Sequence, residues 1–287
     1  MKIQEQAPAK INLALNILGR RTDGYHELRM VMQSVSLCDT VTVEEAGTGF
    51  TLLADGFTVP EGKSSLEQQA AEAFFAAVGQ PMPPLTVHLE KTTPAYAGLG
   101  GGSADVAALL RCLRRQYAPE MPVEQLRAIG LTVGSDMPFC VSGGTALAEG
   151  RGERLTALPA LPDCWIVLCK PEFGIPTPAL FTLADAGTPK NRPDIDGMIR
   201  ALSAGDLGGV AARLCNVFEE FLPEEYHEVF HIKNRLLELG ALNAAMSGSG
   251  PTVFGIFREK TAAKAALTAL KQRYPQTYLA KPVGELV

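Results

Sequence analysis

The start of the chain alternates. In KINLALNILG apolar side chains stand at 11, 13, 15 and 17, with Asn12 and Asn16 between them, the two-residue period of a strand with one buried face. VTVEEAGTGFTLLADG reads as strands broken by turns at Gly47-Thr48-Gly49 and Asp55-Gly56. The period then lengthens. SSLEQQAAEAFFAAVG is a helix that Ser64 or Ser65 can cap and Gly79 ends. PLTVHLEKT alternates again, and ADVAALLRCLRRQY is a helix with its arginines late, where they suit the macrodipole. PVEQLRAIGLTVG is another helix, entered at Pro122. WIVLC (165–169) reads as a compact buried strand between the proline-bearing stretches LPALPD and KPEFGIPTP. Beyond it the pattern predicts helices over MIRALSAGDLGGVAARLCNVFEEFL and EEYHEVFHIKNRLLELGA. A strand at PTVFGIF, a helix at TAAKAALTALKQRY and a strand at TYLAKPV complete the chain. Antiparallel-looking strands mixed with helices, without regular βαβ alternation, predict an α+β fold. The expected domains are 1–160 and 161–287, joined just before WIVLC.

Composition narrows the function classes. At 287 residues the chain makes one large or two medium domains. A net charge of -5 argues against a general nucleic-acid binder, which needs a basic face, but not against a small phosphorylated ligand. The six cysteines have no CxxC spacing and read as reduced thiols of a cytoplasmic protein. The N-terminal apolar stretch is short, carries Asn12 and Asn16 and ends in Arg20-Arg21 without a small-residue cleavage site, so no secretory leader is expected. No uncharged apolar run approaches the roughly 18 residues of a membrane span.

Three segments carry candidate chemistry. In TPAYAGLGGGSADVAALL, Gly98, Gly100, Gly101 and Gly102 crowd ahead of a helical pattern. The run ends in Ser103 where a Rossmann fingerprint needs glycine, and it lacks the Gly-Lys-Ser/Thr of a Walker loop. Its glycines can still turn backbone N–H groups inward as an anion nest, and a helix beginning near Ser103 and Asp105 favours phosphate. Four glycines exceed what a tight strand–helix connection needs. The second segment, Glu61-Gly62-Lys63-Ser64, ends like a Walker loop but has Phe57 where the earlier glycine belongs; it reads as a polar turn. The third, His227-Glu228-Val229-Phe230-His231, matches the zinc-protease pattern HExxH, against which an amphipathic helix with His227 and Glu228 in solvent and Phe230 in the core is the plainer reading.

Five ordered segments together resemble the GHMP kinase superfamily. They are Ala7 to Leu28 (APAKINLALNILGRRTDGYHEL), Pro94 to Ala104, GSDMPFCVSGGTALAEGRGE (134–153), Ile175 to Pro178, and MSGSGPTVFG (Met246 to Gly255). The resemblance implies a two-domain fold: an N-terminal domain like the second domain of ribosomal protein S5, then a ferredoxin-like α/β sandwich. APAKINL and DGYHE further resemble the members that act on a cytidyl diphosphate substrate. These use ATP and Mg2+ to phosphorylate the tertiary 2-hydroxyl of a methylerythritol unit in the non-mevalonate isoprenoid route. Homoserine- or mevalonate-type kinases are the alternative within the fold.

The resemblance also assigns roles. Asp136, in Gly134-Ser-Asp136-Met-Pro138, is the implied base; read alone, an Asp before an apolar run is as readily a helix cap. Lys10 is the implied matching cation, and a charge in the apolar start of a strand is costly unless partnered. Pro94, Ala95, Tyr96, Ala97, Gly98 and Leu99, followed by Gly100, Gly101, Gly102, Ser103 and Ala104, form the implied ATP loop. The N–H groups of Gly100 to Ala104 are expected on the phosphates, and Ser103 near Mg2+, whose protein ligands stay unknown. Ser65 and Leu66 match an adenine-pocket segment where the family more often has Asn-Leu, and Ser249 belongs to a second glycine motif beside the reacting phosphate. Cytidine is expected among Tyr25, His26 and Phe181, with Asn12 and Thr177 as polar substrate contacts. Tyr96 replaces a small residue of the family loop. The expected partners are ATP and the cytidyl diphosphate substrate, with no nucleic acid or membrane, the chain itself being a monomer or weak homodimer.

Overall fold

The computed structural model describes residues 2–54 and 64–287. The expected turn at Asp55-Gly56 and most of the Walker-like segment, Glu61 to Lys63, lie outside the described residues.

Two long antiparallel strands, β1 (Lys2–Arg20) and β2 (His26–Glu44), form the spine. The outer edge of β2 is shared. Residues 40–44 pair with β4 (Leu85–Glu90), which carries β3 (Phe50–Ala54), while residues 28–33 pair with β5 (Thr145–Gly150), which carries β6 (Arg154–Ala157). On the other edge β1 takes the two-residue parallel strand β8 (Cys215–Asn216). One face of this sheet is covered by helices α1 (Leu66–Val78), α2 (Gly101–Tyr117), α3 (Val123–Leu131) and α4 (Met137–Ser142). Ser65 caps α1 by accepting from the Gln68 amide at 3.1 Å, and Gly79 ends it in the left-handed conformation, as its sequence signals predict.

The second sheet is antiparallel, in the order β11 (Thr277–Ala280), β7 (Trp165–Cys169), β10 (Val253–Phe257), β9 (Asn243–Met246). Its alternation separates two cores. Ile166, Leu168, Ala245, Phe254 and Ile256 meet Ile11 and Leu13 of β1, together with Met198 and Leu202 of α6 (Ile195–Ser203), between the sheets. Val167, Cys169, Met246 and Phe257 face the other way, toward Ile232 and Leu236 of α8 (Glu228–Glu238) and Ala263, Ala266 and Leu270 of α9 (Lys260–Lys271). This two-faced burial is why WIVLC shows an unbroken apolar run. The remaining helices are α5 (Thr177–Asp185) and α7 (Leu207–Ala211).

Two expectations are corrected. The long helix over MIRALSAGDLGGVAARLCNVFEEFL is interrupted: Gly205 takes a positive φ, Cys215–Asn216 becomes β8, and Val217–Phe221 is a 3-10 turn. Asn216 explains the second break, since its amide satisfies backbone groups elsewhere in the fold. In the HExxH segment, His227 and His231 are exposed, but Glu228 is not free in solvent. It accepts from the Tyr274 hydroxyl and lies 2.8 Å from Arg273, while Val229, Ile232 and Leu236, rather than the half-buried Phe230, are the core positions of α8.

Arg111 fastens α4 to the rest. It is almost fully buried on α2 and donates to the Cys140 carbonyl at 2.8 Å and the Gln6 carbonyl at 2.8 Å, with Glu5 beside it at 3.4 Å. The cation thus satisfies carbonyls near the C-terminal end of α4. Replacing it by methionine keeps the stem but orphans those carbonyls, while Glu5 retains Arg115 at 2.5 Å. Arg111→Met is expected to lower unfolding stability by about 3 kcal/mol, read from urea denaturation; an unchanged urea midpoint would refute this role.

Candidate active site

The N-termini of α2 and α4 and the middle of β1 converge. Ala9, Ile11 and Leu13 enter the inter-sheet core, so the alternate positions, Lys10 and Asn12, fall on the opposite face of β1. Lys10 is only 5% exposed. Its Nζ donates to Asn12 Oδ1 at 2.8 Å and lies 3.4 Å from Asp136 Oδ2. Asp136 stands at the N-cap of α4 but makes no side-chain cap bond; its carboxylate turns to Lys10 instead and stays one-third open to solvent, at 33%. The cap reading, open from sequence, does not describe this side chain.

The glycine loop closes over the same cation. Gly100 is the N-cap of α2, with φ +67°, and a Cβ there would lie 3.0 Å from Lys10 Cγ. The helix begins at Gly101, earlier than the expected start near Ser103 and Asp105. The amide of Ala104 is already spent on the Gly100 carbonyl at 2.8 Å, so the expected anion site shrinks to the N–H groups of Gly100 to Ser103. No side chain caps this end and no acidic residue sits in its first turn, which leaves it electropositive. A Cβ on Gly102 would meet nothing within 4 Å, so this part of the turn faces open space. Ala97, Leu99 and Ala104 bury their side chains in the core and can offer a ligand only backbone.

Asp105 is not at the helix mouth. It is buried, and Lys91 donates to both it and the buried Asp39. Asp39 Oδ1 accepts from the Thr92 and Thr93 amides at 2.6 and 2.7 Å. One lysine therefore ties Asp39, within β2, to the second turn of α2 across the foot of the loop. Burial, opposed by Lys91, pushes the Asp105 carboxyl up to about 7.

The second glycine motif packs directly on the first. A Cβ on Gly98 would lie 2.1 Å from the Ser247 carbonyl, so only glycine fits there. Ser247 Oγ donates to the Gly98 carbonyl at 3.0 Å, and the Asn12 amide reaches the same hydroxyl at 3.3 Å. Asn216 holds this turn in place by donating to the Met246 and Gly248 carbonyls at 2.8 and 2.7 Å. Thr177 and Ser249 hydroxyls meet at 2.6 Å, joining the start of α5 to the motif. The pattern reading missed Asn216, Asp39 and Lys91. Asn216 was hidden inside an apparent helix, whereas a charged pair bracketing a glycine loop was a signal available in the sequence.

The expected nucleobase residues meet in a different arrangement. His26 stacks on Phe181 with ring centroids 4.3 Å apart at 19°, and its Nε2 lies 2.7 Å from Asp185 Oδ1. The imidazole thus occupies one face of Phe181 and uses its edge on a carboxylate. Tyr25 is half exposed, with Arg151 4.5 Å above its ring. Ser65 spends a lone pair on the α1 cap, while the Leu66 side chain is exposed. Tyr96 is 86% exposed and has φ +50°, the one non-glycine with positive φ among the described residues.

The family model described as GHMP kinases N terminal domain matches residues 65–144, and that described as GHMP kinases C terminal matches 198–276. The chain belongs to the GHMP kinase family. Within the family it is similar to "4-diphosphocytidyl-2-C-methyl-D-erythritol kinase" of Moorella thermoacetica, 42% identical over 96% of this chain and 97% of that one. The protein of the same name from Listeria monocytogenes serotype 4b (strain CLIP80459) is 39% identical over 99% of this chain and 97% of its own. A crystal structure of 4-(cytidine 5'-diphospho)-2C-methyl-D-erythritol kinase superposes with a TM-score of 0.82 at 32% identity, covering 98% of this chain and 100% of that one. Homoserine kinase from Cytophaga hutchinsonii shares the fold at a TM-score of 0.75 and 17% identity, covering 99% of this chain and 95% of its own. The two-sheet α+β architecture is thus the two-domain GHMP kinase fold. No helix among the described residues is long and apolar enough to cross a membrane.

The Asp105 carboxyl gives this GHMP kinase a testable acid-side slope. The unfolded carboxyl releases its proton near 3.8 and the folded one near 7, so the native state holds the extra proton between these values. The contribution is complete below about pH 4 and is lost as pH rises through about 7. Asp105→Asn is expected to flatten the fall of the urea midpoint across that window; the same slope in the variant would place the proton elsewhere.

Proposed function

We propose that this GHMP kinase transfers the γ-phosphoryl group of ATP to the 2-hydroxyl of 4-diphosphocytidyl-2-C-methyl-D-erythritol, releasing ADP and the 2-phosphate. The observation that carries the chemistry is the Lys10–Asp136 pair at 3.4 Å, seated beneath an uncapped helix N-terminus. The substrate assignment is supported by relatives of 39–42% identity over nearly the whole chain. Homoserine- and mevalonate-type kinases share the fold at 13–17% identity, too distant to guide a substrate.

The reading of each residue follows from its surroundings. The N–H groups of Gly100 to Ser103 hold the ATP phosphates at the positive end of α2. Asp136, partly open and not spent on capping, accepts the proton of the attacking hydroxyl. Lys10, held by Asn12 and with little room to move, meets the negative charge that develops on the transferring group. Phosphoryl transfer is mostly positioning and charge neutralisation, and a rigid buried cation serves both. Ser103, in the first turn of α2, and Asp136, one-third open, supply the oxygens that would hold Mg2+. When bound it would neutralise phosphate charge. Binding of the cytosine beside Tyr25, His26 and Phe181 requires the His26 ring to leave Phe181 or the base to stack on Tyr25. Thr177 and Ser249 then face the acceptor, while Asn12, buried with Oδ1 on Lys10 and Nδ2 on Met30 Sδ, acts on it through Lys10; Ser65 and Leu66 border the adenine. The domain division at 160/161 and a cytoplasmic setting belong to the same proposal, the latter resting on six unpaired cysteines.

An ADP-release assay comparing the cytidyl acceptor with homoserine and mevalonate tests the substrate. Turnover of the cytidyl acceptor alone is expected, and preference for either other alcohol would refute the assignment. Asp136→Ala is expected to lower kcat at least about a hundredfold while ATP still raises the melting temperature. A variant with near-full activity removes Asp136 as the base. Phe181→Ala is expected to raise KM for the cytidyl acceptor with ATP KM unchanged, and equal effects on both would contradict its place at the base.

A further inference from the structure

Several arginines stand on and beside the β1–β2 turn that carries Tyr25, and most are already committed. Arg21 pairs with Asp23 and Glu27, the latter at 2.6 Å. Arg154 lies 2.6 Å from Glu27, and Arg29 2.6 Å from Asp196. Arg20 is within 3.9 Å of Asp185, and Arg192 donates to Asn16 Oδ1 and the Ile17 carbonyl, both at 2.9 Å. Arg151 differs. Its backbone amide donates to Glu153, but among the described residues its guanidinium has no ion pair and no hydrogen bond; it lies over the Tyr25 ring at 4.5 Å. Stacking on an aromatic face fixes the plane of a guanidinium while leaving its N–H fork unused.

Its place in the chain explains what the fork could meet. Gly150 pairs with Leu28 in the β2–β5 ladder, two residues beyond His26. Gly152, with φ +114°, lies beside the Ser135 carbonyl, which a Cβ would meet at 3.6 Å, and Ser135 immediately precedes Asp136. Arg151 is therefore held between the proposed nucleobase end of the site and the proposed base. In a cytidyl diphosphate acceptor the group between the nucleoside and the reacting hydroxyl is the diphosphate. Lys10 is buried against Asn12 and Asp136, so it does not serve that stretch.

We infer that Arg151 binds the diphosphate of the acceptor and sets the requirement for that group. This rests on the proposed substrate class and names a residue for a part of the acceptor to which the resemblance gives none. Planar two-pronged donation suits adjacent phosphate oxygens better than a lysine would. Tyr25 then has two tasks, carrying the base and orienting the cation.

Cytidine 5'-diphosphate and cytidine are the probes, titrated calorimetrically against wild type, Arg151→Met and Arg151→Lys, with steady-state kinetics on the full acceptor alongside. The wild type is expected to bind the diphosphate much more tightly than cytidine. Arg151→Met should lose about ten- to a hundredfold of that affinity and raise the acceptor KM similarly, with affinity for cytidine, KM for ATP and melting temperature unchanged. Arg151→Lys should recover part of the loss. If Arg151→Met binds cytidine 5'-diphosphate as well as wild type does, the inference fails while the proposed function stands. If the wild type neither binds these nucleotides nor turns over the acceptor, the function fails and takes this assignment with it.

Discussion

A lysine ammonium buried in the middle of a sheet is the constraint around which this fold is arranged. Removing such a charge from water costs several kcal/mol unless hydrogen bonds and an opposite charge replace the solvent. Lys10 receives both, from Asn12 on its own strand and from Asp136 at the start of a separate helix. The requirement reaches further, because Gly100, in the left-handed conformation, packs so tightly on the lysine stem that a Cβ would come within 3.0 Å of Cγ. A strand, a loop and a helix end are thereby fixed relative to one cation.

The same logic repeats outward. The carbonyls near the C-terminal end of α4 are satisfied by a buried arginine of α2, so the helix bearing Asp136 is held at both ends. The foot of the glycine loop is bound by Lys91 between two buried carboxylates, and its crest by the Ser247–Gly248 turn, which Asn216 clamps from below. Each buried polar group is matched by a partner from a different part of the chain, which makes the site stiff before any ligand arrives. Preorganisation of this sort is what phosphoryl transfer draws on, since the protein has little covalent chemistry to perform. The exceptions among the described residues are Thr93 Oγ1 and Asp105 Oδ1 at the loop's foot and Thr252 Oγ1, all buried without partners.

Legibility in the sequence followed the range of the interaction. Ser65 and Gly79 bound α1 as their local chemistry requires, and WIVLC, PTVFGIF and TYLAKPV form the strands that their apolar runs predict. The alternation of KINLALNILG marks the strand correctly but misleads about burial. It implies a wet face, whereas Lys10 and Asn12 are as buried as their apolar neighbours because the active-site elements cover them. Over MIRALSAGDLGGVAARLCNVFEEFL the helical period was overridden by Asn216, whose side chain serves carbonyls thirty residues away. The stacked His26–Phe181 pair was legible as three aromatic groups at one site, but the mutual contact was not, because its partners are far apart in sequence.

By itself the sequence determined the family, the secondary structure of most of the chain and the residue types of the site. Glycine crowding, helix caps and strand periods are local signals, and ordered motifs are specific even when each is short. The tertiary structure decided which of those residues share one space. It turned Asp136 from a helix cap toward Lys10, shifted the start of α2 back to Gly101, and withdrew Asp105 from the cleft into a buried pair with Lys91. It also left the Arg151 guanidinium over Tyr25 without an ion pair among the described residues. The reason is physical: a charge's role depends on what it faces and how much water remains around it, and both are set by packing between segments distant in the chain.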